Sequence, residues 1–483
     1  MRKTISWLLV LILCTGMLSG CAGSRKKVSA PADTKPIFTT PVTDPTQPTE
    51  PVQIPMTKPT VIDLSVVWAM EVVTQAEESC YLEYPVLELG YLGMDGSIVS
   101  EQPLEGLAAA LADYNQDVMT RQQQTALQLI NDPQAAMPSL EVRAYVTRND
   151  SQVVSFYEQI TEQHDWGVAY LRYRAYTFDT QTGNQLTAQD VFMDPDALAT
   201  TVTEALQQEF PDGAVEDPSQ LTFALTPAGV RFFYEDLQVE IPHEGLVKPQ
   251  YAQVPDSWML KLTYDTYTQL DARNYIRLQW ESGQWDDVLW TAEVNGVALT
   301  REYYGNGPDC YVICADGRYF LYVTVPAGDI SCTSQVFEIT QQGLVPLGEP
   351  EMSIWDKTSL NPQRIAMSLN EISYPGNFLL QTWGWFSLDE EGMPLLLSGF
   401  GVLSRPLMLN CSLELRNTFV DDPTAHAGTS TVYQGQLLTP FRTDMLTYLD
   451  FLDEAGNAYR LEIENYGDEM IAPGYPTMEE MFS

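Results

Sequence analysis

Apolar residues recur at three- and four-residue spacing over two long stretches of this chain, Leu104 to Ile130 and Asp196 to Phe210. In the first, Leu104, Leu107, Leu111, Tyr114 and Val118 share one face, and Asp132-Pro133 ends the pattern. In the second, Leu198, Val202, Ala205, Leu206 and Phe210 do so, with Asp194 or Asp196 as the cap and Pro195 suited to the first turn. Elsewhere the chain alternates between apolar and polar residues, the mark of strands. Turns are expected at Asp95-Gly96, Asn149-Asp150, Gly183-Asn184 and Thr226 to Gly229. Beyond Asp271 helical spacing nearly vanishes, and glycine turns follow at 294–296, 315–317, 341–343, 390–392 and 454–456. The fold class this predicts is an α+β N-terminal module, an antiparallel sheet with two helices, followed by a mostly-β C-terminal half of sandwich or propeller-like sheets. The modules are placed at 61–268 and 269–483.

The N-terminus has a different logic. Arg2 and Lys3 precede an apolar run from Trp7 to Met17, and small residues lead to Cys21. That order describes an export signal, and the run is shorter than the ~20 residues of a bilayer span. Leu18-Ser19-Gly20-Cys21 matches the bacterial lipobox. Residues 1–20 are therefore expected to be a lipoprotein signal peptide, with Cys21 the acylated first residue of the mature chain. Residues 21–60 follow as a stalk. Its segment 31–60 holds eight prolines and eight threonines, too little apolar surface to offset ordering entropy. The location this implies is the outer face of the cytoplasmic membrane in a Firmicutes-type bacterium.

Loss of Arg2 and Lys3 leaves 23 of the 25 basic residues against 65 acids, a formal charge of −42 for the mature chain. Such a surface repels nucleic acid and anionic headgroups and attracts cations, including a basic protein. Cys80, Cys310, Cys314, Cys332 and Cys411 remain after Cys14 and Cys21 are assigned, an odd number that cannot all pair. Cys310 and Cys314 lie four apart on a strand-like segment, roughly 13 Å, too far for a disulfide. They are expected to be buried free thiols.

Candidate chemistry is sparse. No phosphate-binding Gly-x4-Gly-Lys loop or Gly-x-Ser-x-Gly elbow occurs, and His164, His243 and His426 are isolated, so no cofactor and no metal are expected. His243 and His426 are placed in loops, and all three histidines at the surface. A carboxylate pair could hydrolyse glycan, but Asp286-Asp287, Glu390-Glu391, Asp421-Asp422 and Glu479-Glu480 all fit solvated turns equally well. Trp280, Trp285, Trp290, Trp383 and Trp385 could stack on sugars, and alternating aromatics fit a core better.

The segments YPVLEL, TGNQLTAQDVF and FALTPAGVRFFYEDLQVEIPHEG with VKPQY, between Cys80 and Val254, resemble the extracellular domain of RsiV-type anti-sigma factors. That domain senses lysozyme, and a related region precedes some exported peptidoglycan deacetylases. The chain departs from the pattern at Leu237-Gln238-Val239, where the family carries an aromatic residue. The resemblance implies a ligand surface at the turn of Pro242, His243 and Tyr251, and a basic lysozyme-like protein or peptidoglycan as partner. Only Met1 to Lys3 and a Thr-Ile-Ser flank precede the apolar run, so signalling to a sigma factor is not expected. The deacetylase Asp and His-x3-His ligands are missing.

The function expected is that of a non-catalytic surface lipoprotein binding a cell-wall or extracellular ligand. A glycan hydrolase and a structural lipoprotein docked on an envelope complex stay open beside it. If Cys21 is the lipidation point, mass spectrometry of membrane-extracted protein will find an acylated Cys21 N-terminus. Cys21→Ser will retain residues 1–20 and carry no acyl mass; cleavage elsewhere would contradict the assignment.

Overall fold

The first long alternation makes two twelve-residue strands, β1 (Leu64–Gln75) and β2 (Glu78–Leu89), paired antiparallel. The helix α1 (Glu105–Ile130) then crosses over to β3 (Ser139–Asn149), which lies parallel to β2. β4 (Val153–Asp165) and β5 (Val168–Asp179) complete the sheet in the order β1-β2-β3-β4-β5. The expected sheet is thus antiparallel except at β2–β3, where the helical crossover imposes a parallel neighbour. The computed structural model describes residues 58–482, excepting breaks of one to five residues such as 94–96, 133–137 and 283–286. The expected signal segment at 1–20, Cys21 and all of the 21–60 stretch before Lys58 lie outside the described residues.

α1 buries Leu107, Leu111, Tyr114, Val118, Gln122, Ala126 and Leu129, the face expected from their spacing. Its start is fixed by backbone contact with the turn after β5. Asp179 Oδ1 accepts hydrogen bonds from the backbone N–H groups of Gln181 and Thr182, and Gly183 takes a φ of +73°. A Cβ on Gly183 would lie 2.1 Å from the Gly106 carbonyl oxygen. The turn expected at Gly183-Asn184 forms, but no second strand follows it: pairing stops at a single bridge between Phe178 and Gln185.

The second helix, α2 (Pro195–Glu209), is capped by Asp194, whose Oδ1 accepts from Ala197 N–H at 3.1 Å. It packs Val202 and Leu206 on a small antiparallel sheet of β6 (Thr222–Leu225), β7 (Gly229–Tyr234) and β8 (Leu237–Pro242). The expected strand–turn–strand here is a three-stranded meander, because Glu235 adopts a φ of +53° and turns the chain again. Arg231 and Glu240 face each other across β7 and β8, both side chains 2% exposed and 2.9 Å apart.

The rest is strand. β9 (Trp258–Lys261), β10 (Tyr267–Gln269), β11 (Tyr275–Ser282), β12 (Asp287–Val294), β13 (Val297–Tyr304), β14 (Asp309–Ala315), β15 (Arg318–Ala327), β16 (Ser331–Thr340) and β17 (Gly343–Gly348) form two sheets, β9-β14-β15-β16-β17 and β10-β11-β12-β13. These two share one core, in which Leu278, Trp290 and Ala292 meet Val312, Leu321 and Phe337. The opposite face of the first sheet, with Met259, Tyr311, Ile313 and Tyr322, joins the core of β1–β4. A twelve-stranded sheet between Met352 and Glu462 follows, ending on the edge strand His426–Val432. The C-terminal half is thus mostly β, in several separate sheets, none of them closed. The expected division at 268/269 falls inside β10, and β9, before it, is hydrogen-bonded to β14, after it.

Cys80, Cys310 and Cys314 are buried free thiols, and burial pushes Cys314 up to about 12 and Cys80 up to about 11. Cys411 is free and half-buried, and the Cys332 side chain lies outside the described residues. Trp290, Trp383 and Trp385 are core residues; Trp280 is 44% exposed, and Trp285 lies outside the described residues.

The close approach at Gly183 sets a testable asymmetry. Gly183→Ala adds a Cβ against backbone and is expected to cost about 2–3 kcal/mol in chemical denaturation. Gly245→Ala has the same φ of +73° and nothing within 4 Å, so only the backbone cost of roughly 1 kcal/mol is expected. Equal losses would contradict this account of α1 docking.

Candidate functional site

The turn expected to carry the ligand surface begins where β8 ends. Pro242 is exposed, His243 is 9% exposed, and Tyr251 is half-buried. His243 N–H donates to the Ala228 carbonyl at 3.0 Å, and its own carbonyl accepts from Leu246 and Val247, closing a compact turn. Val247 then enters the core beneath α2, with Leu246 and Tyr251 packed against it.

His243 is therefore not the surface histidine expected from its loop position. Burial, with the Arg148 guanidinium nearby, lowers it from the ordinary 6.5 to about 4 against an opposing backbone hydrogen bond with Gly229. Its Nε2 is buried without a hydrogen-bond partner. Arg148 is itself 4% exposed. Its Nε bonds Asp150 Oδ2 at 2.6 Å, and its two Nη atoms donate to the carbonyls of Tyr251 and Gln253. The structure thus brings His243 and Tyr251 to one locality, tied down by Arg148, and leaves Pro242 alone at the surface.

Among the other expected residues, the backbone of His164 lies in β4, and its side chain lies outside the described residues. His426 opens an exposed edge strand and not a loop. Glu390 and Glu391 are both exposed in a turn after Leu388. Asp422 is exposed in a turn and held low by the Thr424 hydroxyl and N–H. Asp421 lies outside the described residues, as do the side chains of Asp286, Asp287 and Glu479. Among the described residues no group of three His, Cys, Asp or Glu side chains is placed to hold a metal ion.

A surface not singled out from the sequence lies on β1 and β2. Glu71 points toward α1, since its Oε1 accepts from Tyr84 Oη at 2.6 Å and its Oε2 from Gln123 Nε2 at 2.9 Å. Side chains alternate along a strand, so Met70 and Val72 face away from the helix. Val72 is in register with Tyr81, and Met70 with Glu83. Met70 is 80% exposed, Val72 56% and Tyr81 62%. Alternation over 66–72, with Val66 buried and Met70 open, carried the signal: the face is apolar throughout, but only one end is covered.

The buried imidazole makes stability pH-dependent. Its folded pKa is lowered, so the unfolded chain takes up the proton first as pH falls below 6.5. The stabilisation is complete above about pH 6.5 and is lost toward pH 4, with a slope of up to about 1.4 kcal/mol per unit. The difference in unfolding free energy between the protein and His243→Gln should shrink over that window. A constant difference would contradict the neutral buried imidazole.

No family model matches the chain, and no curated protein matches it. Solved structures similar to it include two. A member of the DUF3298 family from Bacteroides fragilis is 13% identical over 40% of this chain and 96% of that one, with a TM-score of 0.29. A DUF3298 family protein from Pseudomonas aeruginosa is 13% identical over 40% of this chain and 98% of that one, with a TM-score of 0.28.

Proposed function

We propose that this chain is a lipoprotein held by Cys21 on the outer face of a bacterial cytoplasmic membrane, whose folded body binds a basic extracellular protein of the lysozyme kind and performs no chemistry. The observation that carries the reading is the exposed Met70, Val72 and Tyr81 stripe on a chain of formal charge −40. Interface centres are rich in aromatic residues and methionine and poor in charge, and their rims are polar. Glu83, in register with Met70 and paired with Arg143, makes the margin of the stripe polar. The overall negative field would speed encounter with a cationic partner, while the stripe would hold it.

The direct experiment is calorimetric titration of the chain with a basic lysozyme at about 50 and 300 mM salt, where screening differs strongly. Micromolar binding that survives the higher salt is expected, and Val72→Glu should weaken it about ten-fold or more, ~1.4 kcal/mol. Binding lost at the higher salt, or equal binding by Val72→Glu, would overturn the reading.

A further inference from the structure

Next to the stripe, but separate from it, a cleft of about 320 Å³ opens between the β1–β3 face and strands β9 and β14. Its walls are Trp68, Arg143, Tyr145, Lys261, Asp309 and Tyr311, over an apolar floor that includes Val66 and Leu360. We propose that this cleft binds a neutral saccharide of one or two pyranose rings.

The charge pattern selects a neutral ligand. Arg143 lies 3.0 Å from Glu83 and also bonds Glu141. Lys261 lies 2.9 Å from Asp309. Each cation in the cleft already has its carboxylate, so an incoming ion would have to break a pair and leave one charge uncompensated. A hydroxyl can instead accept from a guanidinium or ammonium while donating to the adjoining carboxylate. These pairs are dense with donors and acceptors at the rim of a hollow otherwise lined by aromatic and aliphatic side chains and Thr358.

The aromatic walls suit the other half of a sugar, its apolar C–H face. They are also held in place. The Arg143 guanidinium carbon sits 4.6 Å from the Trp68 ring centre, and Lys261 Nζ 5.6 Å from that of Tyr311. Tyr145 is stacked on buried Tyr157, with centres 5.2 Å apart. Tyr311 is 1% exposed and backs the cleft beneath Lys261, so the open ring surface comes from half-buried Trp68 and Tyr145. A cleft whose side chains are already ordered loses little entropy on binding. Its volume stands at the small end of the ~300–1,000 Å³ range of ligand pockets, which limits the occupant to a short saccharide.

The test is calorimetric titration of the full chain with chitobiose and with maltose, with the dipeptide Ala-Glu as a charged competitor class. Saturable binding of at least one of these disaccharides is expected, changing less than about two-fold between 50 and 500 mM salt because the ligand is uncharged. Trp68→Ala and Lys261→Gln should each weaken it about ten-fold or more. Lys261 is partly exposed, so Lys261→Gln keeps the readout open if Trp68→Ala fails to fold. The proposal does not rest on the protein-docking reading: no protein is titrated, and Val72→Glu should leave sugar affinity unchanged. No saturable binding of either sugar, binding of Ala-Glu in their place, or full affinity in a folded Lys261→Gln would overturn it.

Discussion

The buried pair of Arg231 and Glu240 fastens three sheets to one another. Arg231 Nη1 donates to Tyr157 Oη on β4 and to Thr263 Oγ1, and Nη2 to Thr268 Oγ1 on β10. Glu240 Oε1 accepts from Thr226 Oγ1 at 2.9 Å and from the Gln269 backbone N–H at 3.0 Å. Taking two charges out of water is costly, and such a pair is tolerated when its remaining donors and acceptors are satisfied. Here they are met by groups from β4, the 226 turn and the β9–β10 segment. The pair therefore specifies where these layers sit more than it adds stability. A second fastening acts near the chain's start, where Asp63 accepts from Ser359 Oγ and Asn361 Nδ2 and pairs with Arg364.

This layering explains why the sheet β1–β5 has one covered and one open end on the face away from α1. Tyr145, Tyr157, Tyr173 and Ala175 are roofed by Ala224 and Phe233. The outer half of the β1–β2 hairpin extends past that roof, leaving Met70, Val72 and Tyr81 uncovered. The cleft of Trp68 and Arg143 marks the boundary between the two. Both functional readings thus follow from where one sheet outruns its cover.

The helices were legible because a 3.6-residue period leaves a mark in any single segment, as at Leu107, Leu111, Tyr114 and Val118. Pairing leaves no such mark: nothing in CYLEYPVLEL tells that β2 takes a parallel neighbour from beyond a helix. Arg231 and Glu240 resembled ordinary solvent-face charges on strands. A turn of two residues at Glu235-Asp236 places them opposite each other, and that register was the available signal. The burial of His243 was hidden for a different reason. Its neighbours Pro242 and Glu244 are exposed, and what covers it comes from distant segments such as the one carrying Arg148. The thiols of Cys310 and Cys314 were readable from strand alternation alone. The export signal and stalk expected from residues 1–57 lie outside the described residues.

If residues on both sides of 268/269 form one body joined through Arg231 and Glu240, they unfold together. Scanning calorimetry of the chain and of Glu240→Gln tests it most directly. Leaving Arg231 buried without its carboxylate should cost about 3–5 kcal/mol. The account predicts that a single transition moves to lower temperature as a whole. An endotherm that splits, with one part holding its original temperature, would contradict it.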